Sequence, residues 1–400
     1  MSESLIAYAD GVDSPRTPPA AVAAASGSPA DAEVVLGWIP EPRSWLADPD
    51  GAPTPDDPSP VRGLAFMAGY ALAPAIQAGR LRYLPIRLGS VPTLVADLRA
   101  ETAVVTGIRR GRELAFAATV GPGPAMALAA RRVVVELAGG TEDDLPDLGA
   151  RLIPGDIVAT VERPTAGYDP PVPRPPDPVD LAVGRNVASV LPDRPTLQFG
   201  PGGIAEAILA SLDRRVGIWS GLITESVADL AERGLLDGQV TAAYAWPAAG
   251  GGLATLAGQG RVDLQPLEVT HDISRIAAID RFVGCNTALQ VGLDGSVNVE
   301  RAGSRLIAGI GGHADFCAGA ARSRGGLSLI ALRSTTPRGA SAIVAQVQTV
   351  STPRSDVQVV VTEHGVADLR GADDADRARL LAGIAAPEHR TALLQAAELS

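Results

Sequence analysis

Short, continuous apolar runs alternate with amphipathic stretches along most of the chain. In the first half, Glu33-Val34-Val35-Leu36 reads as a strand that stops at Gly37. Residues 62–78 read as helical, Arg82 to Ile86 as extended, and Val91 to Leu98 as a helix. Thr102 to Ile108 is a strand, Pro124 to Ala130 a helix, and Arg132 to Leu137 a strand again. In the second half, Thr196-Leu197-Gln198-Phe199 runs as a strand into Gly200-Pro201-Gly202-Gly203, and a helix follows from Ile204 to Leu212. Gly217-Ile218-Trp219 is extended and Ser226 to Arg233 helical. Further strands are expected at Ala277 to Val283, Ser328 to Leu332 and Val357 to Thr362, with a last helix over 375–398. Apolar strands between helices imply parallel strands covered on both faces. The chain therefore reads as an α/β architecture in duplicate. VVLG at 34–37 and LQFG at 197–200 share the step from strand to glycine to helix, a weak echo of a repeat.

Proline and glycine punctuate this pattern. Residues 1–30 are rich in Ala, Pro and Ser and read as a disordered arm. Residues 47–60 form an acidic, Pro-rich loop. PTAGYDPPVPRPPDP at 164–178 cannot sustain a helix or a central strand. The expected organisation is a first α/β domain over 31–163, a linker over 164–180, and a second α/β domain over 181–400.

Charge and composition narrow the chemistry. The 400 residues carry 34 basic and 45 acidic side chains, a net charge of -11, which argues against a nucleic-acid binder that works by counterion release. Aromatics at 4% argue against stacking platforms for single strands. Every basic residue is Arg, so a Walker A loop and Schiff-base chemistry at Lys are excluded. The two cysteines, Cys285 and Cys317, cannot make a disulfide framework or a four-cysteine zinc site and read as small buried hydrophobes. No signal segment and no long apolar span are seen, so a cytoplasmic protein without a membrane partner is expected.

Three glycine clusters are candidate ligand loops. Gly200, Gly202 and Gly203 precede a helix, where free N–H groups suit an anion. Gly309, Gly311 and Gly312 lie in GIGGHADF, which lacks the last glycine of a dinucleotide fingerprint because Ala314 stands there. Gly250 opens a third flexible loop. Each cluster serves equally well as a tight turn. His271, His313, His364 and His389 show no metal spacing, and no metal is expected. Glu363, after an apolar strand, is either an active-site carboxylate or a structural group.

Several of these segments, in this order, resemble the acetyl-CoA hydrolase/transferase family, including 4-hydroxybutyrate CoA-transferase-like enzymes. They are GRLRYLPI at 79–86 with Val91-Pro92, Leu197 to Ile208, Thr270-His271-Asp272, and Asn286 to Asn298. The most specific are 309–335 and VVTEHGVADLRG at 360–371. The resemblance implies two tandem α/β domains of the CoA-transferase type, each with a mostly parallel sheet flanked by helices. It implies a homo-oligomer, no permanently bound cofactor, and coenzyme A or acyl-CoA with a carboxylate acceptor as substrates. It also implies a glutamate nucleophile. That carboxylate attacks an acyl-CoA thioester, expels the CoA thiolate and forms an acyl-glutamyl anhydride. The thiolate then attacks the glutamyl carbonyl, releases the acyl carboxylate and leaves a glutamyl-CoA thioester, which an acceptor carboxylate or water resolves. The glycine loops would bind the thioester and its oxyanion. Here the chain departs from the family: the nucleophile's position is Gln290, the neighbouring acid's is Gly292, and a proline's is Ala205. A neutral amide cannot form the anhydride. Three readings follow: transfer or hydrolysis through another carboxylate, Glu363 or Asp294; a protein of the same fold that binds acyl-CoA without turning it over; or a structural partner of an active paralogue.

Overall fold

The computed structural model describes residues 4–29, 31–41, 43–47, 61–138, 148–149, 151–164, 174–248 and 250–398. Most of the loop expected at 47–60 and most of the Pro-rich run at 164–178 lie outside them. The chain forms two compact units. One holds 1–170, 241–270 and 306–311, and the other 171–240, 271–305 and 312–400. The units change within the expected linker, but the second is not the continuous stretch 181–400, because two later segments pack with the first.

The first sheet contains β1 (Leu5–Tyr8), β2 (Glu33–Leu36), β3 (Gly63–Ala65), β4 (Leu81–Tyr83), β5 (Thr102–Arg110), β6 (Glu113–Ala115), β7 (Arg132–Leu137) and β8 (Ile157–Glu162). Its spatial order is β4-β3-β2-β1-β5-β7-β8, parallel throughout, with β6 folded antiparallel on β5. The chain starts at a central strand, steps outward to β4, and returns to the other side at β5.

The later strands are β9 (Thr196–Phe199), β10 (Val216–Thr224), β11 (Leu236–Trp246), β12 (Val262–Leu264) and β13 (Phe282–Thr287). They continue with β14 (Gln290–Gly292), β15 (Val297–Asn298), β16 (Arg301–Ala302), β17 (Arg305–Leu306), β18 (Leu327–Ala331), β19 (Ile343–Val344), β20 (Val359–Thr362) and β21 (Gly365–Asp368). In the second unit the order runs β10-β9-β13-β18-β20-β21, and again the path starts centrally and reverses. The duplication is thus one of topology. The VVLG and LQFG echo pairs strands that are not equivalent, since the counterpart of β9 is β1 and not β2. The small β15-β14-β19 sheet lies after the end of β13.

Local chemistry explains most elements. Helix Val91–Leu98 has Pro92 in its first turn and ends at Arg99 in a left-handed conformation. Asp177 and Asp180 form a reciprocal capping box at helix Pro178–Val190, with Pro178 at its first position. β5, β7, β18 and β20 are almost wholly buried, as parallel strands covered on both faces must be. Val34, Leu36, Val104 and Val134 centre the first unit's core. Val291, Ile330, Ile343 and Val360 centre the second's.

Four expectations are corrected. Residues 1–30 are no disordered arm over their described length: Leu5–Tyr8 is a central strand and Pro19–Ser26 a helix. Composition hid a four-residue apolar run whose Ile6 and Tyr8 are fully buried. The helix expected over 62–78 mixes a strand with a short helix, Ala73–Gln77. At Gly63 a Cβ would lie 1.9 Å from the Val34 carbonyl oxygen, an approach only glycine permits. The strand expected at 277–283 begins only at Phe282, because Asp272 caps a helix over Ile273–Ala278. The last helix is two, Asp374–Ile384 and Pro387–Glu398, separated where Pro387 starts afresh.

The first unit's loop after β1 holds an unusual acid. Asp10 is 1% exposed, and its Oδ2 accepts from the Trp38 N–H at 3.2 Å and the Tyr244 hydroxyl at 3.3 Å. Its Oδ1 is buried without a hydrogen-bond partner among the described residues. Burial pushes its carboxyl up to about 7, with the nearby Asp13 charge adding to the rise and the hydrogen bonds opposing it. The folded chain therefore holds a proton that the unfolded chain releases, and stability falls as pH rises from about 4 to about 7. The contribution reaches roughly 4 kcal/mol. We expect Asp10→Asn to remove this slope in urea titrations across that range. The difference between variant and wild type isolates Asp10 from Asp13 and from the buried histidines. Parallel curves for the two proteins would contradict the assignment.

Candidate functional site

In an open α/β sheet, ligands bind outside the carboxyl ends of the strands where the strand order reverses. In the second unit that point is between β9 and β13. Cys285 pairs with Phe199, Thr287 with Ala331, and Ala331 with Val361, so β9, β13, β18 and β20 end along one edge. Three expected site groups sit on that edge. Gly200 to Gly203 follow β9, Gln290 follows β13, and Glu363 follows β20.

The glycines differ in role. Gly202 has a φ of 125° and nothing within 4 Å of a would-be Cβ, so backbone conformation requires it. Gly200 is open, with no neighbour to crowd a side chain. Gly203 starts helix Gly203–Ala210, and its would-be Cβ lies 2.8 Å from Asp180 Oδ2. Arg333 donates to Asp177 and Asp180 at 2.7 and 2.6 Å, and Arg174 donates to Asp180 at 2.6 Å. These arginines are spent on the two aspartates. The field offered to a ligand at this loop therefore comes from the helix N-terminus.

The boundary between the two units falls within the 309–312 cluster. Gly309 and Gly311 belong to the first unit. A Cβ at Gly309 would meet Met67 and Ala68 within 3.1 Å, and the Gly311 carbonyl accepts from the Leu88 N–H. Gly312 belongs to the second unit, where a Cβ would lie 2.5 Å from His271 Nε2. Packing explains Gly309 and Gly312 without a ligand. Gly250 is exposed on a turn of the first unit before helix Gly252–Gly258.

Gln290 is half-buried at the start of β14, directly opposite Asn298 on β15. Its Oε1 accepts from Asn298 Nδ2 at 3.1 Å. Asn298 is 1% exposed and fully engaged. Its Oδ1 accepts from the Glu300 and Arg301 N–H groups, both at 3.0 Å, and its Nδ2 also donates to the Arg301 carbonyl at 2.7 Å. Between the two strands, Asp294 accepts from the Ser296 N–H and hydroxyl, which closes the turn.

The other carboxylates at this edge are engaged. Glu363 accepts from the Ser334 N–H at 2.9 Å and its hydroxyl at 2.6 Å, tying the end of β20 to the segment after β18. Glu300 is 4% exposed and accepts from the Ser351 hydroxyl at 2.6 Å. His313 Nδ1 lies 2.8 Å from the Thr352 hydroxyl, and burial lowers the ring to about 4, with the Thr287 carbonyl opposing, so it is neutral near pH 7. Burial pushes the Cys285 and Cys317 thiols up to about 12, so neither supplies a thiolate. Among the described residues no group of three His, Cys, Asp or Glu is placed to hold a metal ion.

Sequence reasoning misses Asn298, Glu300, Ser334, Ser351 and Thr352, which build the frame around residues 290 and 363. Asp294-Gly295 marks a hairpin, but a two-residue turn there would pair residue 290 with 299; the observed pairing with 298 comes from a three-residue loop, 293–295, with Gly295 at a φ of 93°. The partners from 334 and 351–352 carry no such local signal.

Two sheets whose strand order reverses, with a glycine turn and a polar hairpin at the strand ends of the second, define a doubly wound α/β protein. The description "Acetyl-CoA hydrolase/transferase C-terminal domain" matches residues 253–397. The chain is 30% identical over 350 residues to the 4-hydroxybutyrate coenzyme A transferase of Clostridium kluyveri, covering 82% of this chain and 80% of that one. It is 29% identical to an acetyl-CoA hydrolase of Neurospora crassa over 50% of this chain and 39% of that one. The structure of a 4-hydroxybutyrate CoA-transferase from Porphyromonas gingivalis superposes with a TM-score of 0.71 at 24% identity, over 98% of this chain and 92% of that chain, a likeness of fold. The chain belongs to the acetyl-CoA hydrolase/transferase family.

Proposed function

We propose that this protein binds an acyl-CoA thioester at the strand-end crevice of its second unit and forms no covalent intermediate at residue 290. It is then an acyl-CoA-binding member of a CoA-transferase family, without the family's nucleophile. The observation that carries this reading is the Gln290 carboxamide, which stands opposite Asn298 where the resemblance calls for a glutamate. Transfer through Glu363 or Asp294 is disfavoured because Ser334 and Ser296 engage both oxygens of each carboxylate. Glu363 is held by Ser334, Asp294 by Ser296, and Glu300 by Ser351. The names of the relatives supply the ligand class, an acyl-CoA with a carboxylate as its counterpart. No tightly held cofactor belongs to this reading.

Calorimetric titration with CoA and with acetyl-CoA tests it. Saturable heat with acetyl-CoA at millimolar or lower concentration is expected. The absence of heat with both ligands at millimolar concentration would overturn the reading.

A further inference from the structure

An amide's oxygen and nitrogen ends are told apart by their partners. For Asn298 the assignment is forced. One end faces two backbone N–H groups and must be the oxygen, and the other faces the Arg301 carbonyl and must be the nitrogen. That nitrogen also faces Gln290, so the near end of the Gln290 amide must be its oxygen. The far end is then Nε2. It has no hydrogen-bond partner among the described residues, and it is not among the buried unpaired atoms.

We infer that Asn298 turns the Gln290 carboxamide outward, so that position 290 is a hydrogen-bond donor to the acyl oxygen of a bound ligand. This rests on the reading of the site as an acyl-CoA site and adds which atom meets the acyl group. A glutamate at this place offers only acceptors once ionised. The substitution therefore reverses the polarity of the hydrogen bond, and a nucleophile's position becomes a recognition group for a thioester carbonyl or a carboxylate. Gln290 is the contacting residue and Asn298 the positioning residue. The hairpin turn at Asp294 and Ser296 keeps the two strands in register.

The test compares acetyl-CoA with CoA on wild type, Gln290→Met, Asn298→Asp and the double variant by calorimetry, with thermal unfolding as a check on folding. Wild type is expected to bind acetyl-CoA about five- to tenfold more tightly than CoA, the worth of one added hydrogen bond. Gln290→Met keeps the size and removes the donor, and the ratio should fall to about one. Asn298→Asp removes the N–H donor that holds the Gln290 oxygen. The carboxamide should then turn over, and the ratio should fall in the same way. In the Gln290→Met background Asn298→Asp should change the ratio no further, an outcome that a merely structural role would not produce. Acetate competition separates the two oxygen sources. Competition lost in Gln290→Met marks a carboxylate acceptor as well, and no competition confines the contact to the thioester. An acetyl-CoA to CoA ratio untouched by Gln290→Met overturns the inference while the acyl-CoA reading stands. Failure of both ligands to bind wild type removes both. If Asn298→Asp fails to fold, Gln290→Met still decides the donor.

Discussion

Gln290→Glu should raise CoA transfer between acetyl-CoA and a carboxylate by about a thousandfold or more over wild type, because it returns an attacking oxygen to a site that lacks one. The replacement exchanges an NH2 group for an oxygen of nearly the same size. Asn298 Nδ2 already stands 3.1 Å from the neighbouring oxygen and would donate to a carboxylate at that place without rearrangement. A donor held so firmly favours the ionised, nucleophilic form. The measurement is steady-state turnover of both proteins, joined to mass spectrometry after hydride reduction, which marks a carboxyl group converted to a CoA thioester. The mark is expected on residue 290 of the variant. If wild type already turns over and carries the mark on Glu363 or Asp294, the assignment of residue 290 fails. A variant no faster than wild type fails it too.

Replacing Glu136 with Ala should cost the first unit about 5 kcal/mol, the range for stranding the partners of a buried carboxylate. Glu136 is 0% exposed on β7, and its Oε2 accepts from the Arg16 N–H, the Thr17 N–H and the Thr17 hydroxyl, each at 2.7 Å. Its Oε1 accepts from Arg163 Nε at 2.8 Å. Arg163 in turn donates to the Asp13 carbonyl. One side chain therefore fastens the segment after β1 to the sheet from several directions. Urea unfolding and amide exchange over residues 9–18 should both register the loss, the exchange most strongly. A change under about 1 kcal/mol would mean that the segment is held by something other than this carboxylate.

Local signals suffice for some elements and fail for others. Strand Thr196–Phe199 falls where the pattern puts it because Pro195 and Gly200 bound a short apolar run. Helix Val91–Leu98 is equally legible, from Pro92 and an apolar stripe that buries Val91 and Val95. β1 is not, because Leu5–Tyr8 is brief and its neighbours in sequence look like a tail. Its pairing partners, β2 and β5, are supplied from residues 33–35 and 102–104. The site divides in the same way. Gly200 to Gly203, Gln290 and Glu363 can be named from short motifs. The groups that decide what Glu363 can do come from Ser334, a residue distant in sequence. Gly309 and Gly312 are ambiguous in sequence because packing contacts and a ligand loop demand the same residue type.

Residue 292 makes the route back to full chemistry one-directional. A Cβ on Gly292 would lie 2.8 Å from Asp294 Oδ1, the very atom that accepts from the Ser296 N–H. An engineer who reinstates the glutamate meets a prepared place, but one who also reinstates the neighbouring acid must first dislodge the aspartate that folds the bend. Installing both acids that the resemblance implies is therefore path-dependent, with remodelling of the 294–296 bend as its first step.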